Sequence, residues 1–262
     1  MSAYDDLRPE LVVEEDGPIR VVTLNRPESL NATNRDLHHK LAQVFTRLGE
    51  DEEARAIVIT GAGRAFSAGG DFHYLDELTK DDAARRETIA DARSIVTSMV
   101  ACRVPVVAAV NGPAVGLGCS LVALSDISFM AESAHLADPH VAVGLVAADG
   151  GPITWPLMMS LQLAKEYAFL GDPIPAQRAA EIGLVNHVVP DSEVMAQAMA
   201  CAQRLAKLPR QTLQDTKRIL NLHLERAVTA TLDYALTAED RSFLSPELRA
   251  NVDRFLSKQP KS

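Results

Sequence analysis

The chain has 262 residues, 47% of them hydrophobic and 23% charged, and carries a formal net charge of −9. That is the composition of a folded globular protein with room for one large core. Its acidity excludes a non-specific nucleic-acid binder, which needs a basic face. Cys102, Cys119 and Cys201 form no CxxC pair and lie in apolar runs, so they read as small buried residues in a reducing compartment. The opening MSAYDDLRPE lacks the charged-then-apolar pattern of a signal peptide, and no run is long and apolar enough for a bilayer. A cytoplasmic protein with no membrane partner is expected.

LVVEE and IRVVTLN, parted by Asp16-Gly17-Pro18, predict a β-hairpin. Asn34 then caps a predicted helix whose apolar positions Leu37, Leu41, Val44, Phe45 and Leu48 recur at three- and four-residue spacing. AIVIT predicts a buried strand, a charged helix around Arg86 to Val100 follows, and PVVAAV predicts the next buried strand. Gly116 to Leu124 reads as helix, ISFMA from Ile127 as strand, and VNHVV near Val185 as the last strand. Beyond Pro152 amphipathic helices dominate: Ser192–Lys207, Gln211–Leu224, Val228–Leu244 and Pro246–Lys258. Strand–helix alternation followed by a helical run predicts an α/β core carrying a C-terminal helical part.

Two glycine-rich segments each follow a β-type run: AIVITGAGRAFSAGGDF (Ala56 to Phe72) and PVVAAVNGPAVGLGCSL (Pro105 to Leu121). Tight loops of this kind leave backbone N–H groups unpaired, and two such loops brought together aim two donors at one oxygen. Neither loop is a phosphate cradle. GAGRAF lacks the Gly-Lys-Ser/Thr ending of a P-loop, and GPAVGLG does not fit Gly-x-Gly-x-x-Gly.

TLNRPESLNA, ITGAGRAFSAGGDF, PVVAAVNGPAVGLGCSL with SDISF, and the tail EDRSFLSPELRANVDRFLSK occur in this order along nearly the whole chain. Together they resemble the crotonase superfamily, the enoyl-CoA hydratase/isomerase family. The resemblance implies a spiral of ββα units over residues 1–195 and a helical trimerisation region over 196–262, assembling into homotrimers or hexamers. It implies acyl-CoA thioester substrates, an enolate intermediate, and no metal or redox cofactor, coenzyme A being part of the substrate. It places the two oxyanion-binding amides at Ala68 and Leu117, and coenzyme A contacts at Arg26, Ala68, Gly70, Asp71 and Lys258.

The chain departs from this family at the two glutamates with which its hydratases handle water. Ser120 stands at the first position, and Pro139-His140 replaces the Pro-Glu pair of the second. A serine without an activating base is a poor proton carrier near neutral pH. His140 lies nine residues before Asp149. A carboxylate that fixes the imidazole tautomer turns histidine into a usable base, so His140 oriented by Asp149 is the expected catalytic pair, with Ser120 beside it. This His/Asp spacing resembles the β-diketone hydrolase branch, of which 6-oxocamphor hydrolase is the type, where water attacks a carbonyl and a carbon–carbon bond breaks. The alternatives to an enoyl-CoA hydratase/isomerase are therefore C–C hydrolysis of a β-diketone or β-keto thioester, and a non-catalytic acyl-CoA-binding homologue.

Other residues read as structural. Asp149 precedes Gly150-Gly151-Pro152 and fits a helix N-cap as well as catalysis. Asp71 fits a cap of the next helix; Asn111 and Asp126 fit loop fixers; Trp155 fits the core. His38 and His39 read as surface residues of an amphipathic helix, and no His/Cys/Asp/Glu cluster has metal-ligand spacing.

Overall fold

Strands β1 (Leu11–Asp16) and β2 (Ile19–Leu24) form the expected hairpin, with Asp16 opposite Ile19 across the turn. The structure is a computed structural model and describes residues 2–258. After β2 comes helix α1 (Arg35–Glu50), capped by the Asn34 side chain, which accepts from the Leu37 N–H; its five predicted apolar positions are all buried. Strand β3 (Ala56–Gly61) is followed by α2 (Phe72–Leu78) and α3 (Asp82–Ala101). Next come β4 (Val106–Val110), β5 (Ala114–Val115), α4 (Leu117–Leu124), β6 (Ile127–Ala131) and β7 (His135–Ala137).

Four further helices and two strands complete the middle of the chain. They are α5 (His140–Val143), α6 (Gly151–Met158), α7 (Leu161–Leu170), β8 (Ile174–Pro175), α8 (Ala176–Glu181) and β9 (His187–Val189). The main sheet runs β1-β2-β3-β4-β6-β9, and every pairing beyond the hairpin is parallel. Every residue of β3 and β4 is buried, which is why these strands are continuous apolar runs rather than alternating ones. Strands β5, β7 and β8 make a second small sheet that sequence patterning does not reveal, because two- and three-residue strands carry no periodicity.

The C-terminal region consists of α9 (Val194–Ala206), α10 (Arg210–Ser242) and α11 (Pro246–Leu256). Helix α9 crosses the expected boundary after residue 195 and packs on β3, β4 and β6. The two helices expected over 211–224 and 228–244 are one helix of 33 residues, because nothing between them, neither Gly nor Pro, breaks the turn. Near its start Lys217 donates to Asp126 (2.6 Å) and to the Val104 carbonyl (2.9 Å), pinning α10 to the rim of the sheet. Helix α11 packs on α2 and α5, with Phe255 stacked on Phe72 at 3.7 Å between ring centroids. No helix among the described residues is long and apolar enough to cross a membrane.

Candidate active site

The two glycine-rich loops meet side by side. Ser67 and Ala114 form a parallel bridge, and the Val115 N–H donates to the Ser67 carbonyl at 2.9 Å. Behind the first loop lies the segment Leu30–Thr33, whose carbonyls take up two of the loop's amides while a third turns to Ser67. The Ala68 N–H donates to the Leu30 carbonyl (2.9 Å), the Gly69 N–H to Ser67 Oγ (3.2 Å), and the Asp71 N–H to the Thr33 carbonyl (3.1 Å). The Ala68 amide is therefore committed to the fold, contrary to the expectation from sequence. The amide left without an acceptor among the described residues is that of Gly70. Gly69 makes this exposure possible: its φ is +88°, and a Cβ there would lie 3.1 Å from the Val115 carbonyl oxygen.

On the second loop Leu117 is the first residue of α4, so its N–H has no intrahelical partner, and the preceding Gly116 offers no side-chain cap. Gly116 sits at φ +54° with its own N–H bonded to the Ala137 carbonyl. Gly70 and Leu117 line one cavity, and with them His140, Asp149 and Glu239. Two unpaired amides at one cavity are a ready pair of donors for a developing oxyanion.

His140 opens α5. Its Nδ1 hydrogen-bonds Asp138 Oδ1, whose carboxylate also accepts from the His140 backbone N–H at 3.3 Å. The orienting carboxylate is thus Asp138, two residues away across Pro139, and not Asp149. Asp149 lies on the other side of the ring, with Oδ2 3.7 Å from Nε2, and its Oδ1 accepts from Ser120 Oγ at 2.8 Å. The imidazole also abuts the second loop: a Cβ on Gly116 would lie 3.5 Å from His140 Cε1. Asp149 does not cap α6, whose N-cap Gly150 has no side-chain bond.

Burial and mutual charge set the protonation of this group. Burial works against the His140 cation, but Asp138 and Asp149 outweigh it and push the imidazole up to about 10. Burial raises Asp138, yet the adjoining His140 charge holds it below the usual carboxylate range. Asp149 is raised by burial and by the Asp138 charge, against the pull of His140 and Ser120. Glu239, near the far end of α10, is pushed up to about 8 by burial and by the neighbouring carboxylates, with His140 opposing. Sequence reading missed Glu239 altogether, since a glutamate on an amphipathic helix looks like solvated charge.

The other expected residues fall as follows. Arg26 donates to Asp71 Oδ2 (3.1 Å) and to the Ala32 carbonyl, so it braces the first loop instead of presenting a free guanidinium. Asp71 caps α2, accepting from the His73 N–H at 3.0 Å. Lys258 is exposed just beyond α11 and lines neither the cavity nor the cleft beside it. Asn111 ties the first loop through the carbonyls of Gly61 and Gly63, and Trp155 is core. His39 is exposed as expected, but His38 is buried against the cavity. Donor atoms of Asp138, His140 and Asp149 lie within 4.8 Å of one another, a ligand-type cluster that spacing alone does not suggest. The Asp138–His140 and Ser120–Asp149 hydrogen bonds run through this cluster.

The sequence model described as enoyl-CoA hydratase/isomerase matches residues 14–262. A short-chain-enoyl-CoA hydratase of Clostridium acetobutylicum is 30% identical over 234 residues, covering 89% of this chain and 87% of that protein. Among solved structures, an enoyl-CoA hydratase/isomerase from Mycobacterium paratuberculosis superposes with a TM-score of 0.92 at 62% identity, over 94% of this chain and 98% of that one. A β-diketone hydrolase from the cyanobacterium Anabaena superposes with a TM-score of 0.86 at 28% identity, over 93% and 98% of the two chains. The fold, the paired glycine loops and these matches make this chain a member of the enoyl-CoA hydratase/isomerase, or crotonase, family.

Proposed function

We propose that the protein is a water-activating enzyme that hydrolyses a carbon–carbon bond in a β-dicarbonyl substrate, either a β-diketone or a β-keto thioester. The observation that carries this reading is the Asp138–His140 pair, whose Nε2 faces a cavity holding two unpaired amides, on a scaffold where Ser120 stands at a glutamate position. The substrate carbonyl oxygen lies between the Gly70 and Leu117 amides. His140 Nε2 takes a proton from water as the water oxygen bonds to the carbonyl carbon, and Asp138 stabilises the imidazolium. The tetrahedral oxyanion collapses to a carboxylic acid, the C–C bond breaks, and its electron pair leaves as the enolate of the second carbonyl. Glu239, held protonated by burial, delivers a proton to the enolate carbon. The Anabaena β-diketone hydrolase, whose solved structure contains a keto acid, supports this reading.

Turnover in heavy-oxygen water tests it. The label is expected in the new carboxylate, and an unlabelled acid would exclude attack by water on the carbonyl.

A second reading follows the names of the relatives: hydration or isomerisation of an enoyl-CoA thioester. The same amides would hold the thioester oxygen and His140 would move the proton at the α-carbon. Crotonyl-CoA discriminates the two, since only the second reading predicts loss of its enoyl-thioester absorbance. Where the substrate is a β-keto or enoyl thioester, coenzyme A enters as part of it, and no separate cofactor is invoked. The assembly proposed is a homotrimer or a pair of trimers, in keeping with the apolar side chains that α7 and α10 leave exposed.

A further inference from the structure

A second imidazole lines the same cavity. His38, on the inner face of α1, is 7% exposed, and its Nδ1 is buried without a hydrogen-bond partner. The group facing that nitrogen is Asp91 of α3, at 4.0 Å from Nδ1. Nδ1 is shielded and turned to Asp91, and the ring forms part of the cavity lining. His38 is close enough to the catalytic group for its charge to act on the Asp149 carboxyl. Burial raises Asp91, but the neighbouring His38 and His39 imidazoles outweigh it and hold the carboxyl below its usual range. The ring edge opposite Nδ1 carries Nε2, which with its proton is a donor to a ligand oxygen. Tyr74 and Thr88, also at this cavity, are bonded to each other.

The hydrolysis proposed above makes two oxygens negative in turn. The first is the attacked carbonyl oxygen, while the tetrahedral adduct exists. The second is the oxygen of the leaving enolate, which receives the electron pair of the breaking C–C bond. Two backbone amides serve one of them. Resting on that reading of the reaction, we infer that His38, backed by Asp91, is the donor to the second carbonyl oxygen of the substrate. His38 stabilises the leaving enolate and restricts the enzyme to substrates bearing a second oxygen β to the first carbonyl. A substrate with a single carbonyl leaves this imidazole facing an apolar carbon, with a buried donor unsatisfied.

The test uses the full-length protein and two probes: a non-enolisable cyclic β-diketone and its counterpart with fluorine on the leaving side. Wild-type cleavage, scored by heavy-oxygen incorporation into the acid, checks the underlying reaction by itself. His38→Gln is expected to lower kcat on the plain diketone by ~10²-fold, the scale of a lost oxyanion donor. On the fluorinated diketone the deficit is expected to shrink to under about tenfold, because an enolate stabilised by fluorine needs less help. His38→Asn guards against a folding failure, and Asp91→Asn is expected to give the same pattern at smaller amplitude. A deficit equal on both probes marks His38 as structural and overturns the inference, as does no deficit on either. Failure of the wild type to cleave either diketone removes the underlying reaction, and this inference falls with it.

Discussion

A carboxyl lodged beside an imidazole and a cluster of other carboxyls can shed its charge only by holding a proton, and Glu239 does so up to about pH 8. His140 keeps its own proton to about 10. A mechanism that uses His140 as base and Glu239 as acid therefore draws on the majority form of Glu239 and the minority form of His140 below about pH 8, and on the minority form of both between about 8 and 10. The sign follows for each: the acid is lost as pH rises above about 8, and the base is gained as pH rises toward about 10. Multiplied together, kcat/KM is expected to climb to about pH 8, stay level to about 10, and fall beyond. In Glu239→Gln the lower break near 8 is expected to disappear, so that the reduced rate climbs all the way to about 10. A pH–rate profile that is flat from 6 to 8 in the wild type would refute this assignment of roles.

Much of this was readable at the residue scale, and each miss has its own cause. Ser120, His140 and Asp149 do converge, because each sits where a glycine loop or short helix turns inward. Asp138 was in plain view as Asp-Pro-His, yet a two-residue spacing looks like a turn until the ring is seen folded back on it. Choosing Ala68 over Gly70 failed for a different reason. Which amide stays free depends on Leu30 and Thr33, residues far off in sequence whose carbonyls claim Ala68 and Asp71.

At the scale of elements, α4 contributes its N-terminus and nothing else that reacts, apart from the Ser120 hydroxyl one turn along. That allows a clean deletion of one donor. Proline at the first position of a helix keeps the helix, since that N–H has no intrahelical partner. Leu117→Pro is expected to retain the far-UV spectrum of the wild type while losing ~10²–10³ in kcat. Unchanged turnover in a folded Leu117→Pro protein would mean the carbonyl is polarised elsewhere. The long elements were legible because their apolar periods are long. The fusion of two expected helices into α10 matters more than a boundary error, because it carries Glu239 to the cavity on a rod anchored at Lys217.

On the scale of the whole molecule, several large apolar side chains of α7 and α10 are strongly exposed. Ile219, Leu220 and Tyr234 on α10 are 64%, 63% and 76% exposed, and Phe169 and Leu170 at the end of α7 are 63% and 60% exposed. Large apolar side chains left this exposed are what the proposed assembly would cover. Sedimentation equilibrium is expected to give three or six copies, and the double variant Ile219→Asp/Leu220→Asp to sediment as a monomer. A monomeric wild type at micromolar concentration would remove the assembly proposed above.

The amides of Gly70 and Leu117, proposed above as the polarising donors, belong to the main chain, while the side chains proposed to handle protons hang from separate elements: α5, α4, α10 and the loop before α6. Point mutation rewrites side chains freely but cannot erase an amide hydrogen unless it installs proline. A lineage built this way can exchange its acids and bases one at a time and never lose its grip on the carbonyl. The missing glutamates are then less a loss of function than a change of tool in an unchanged vice.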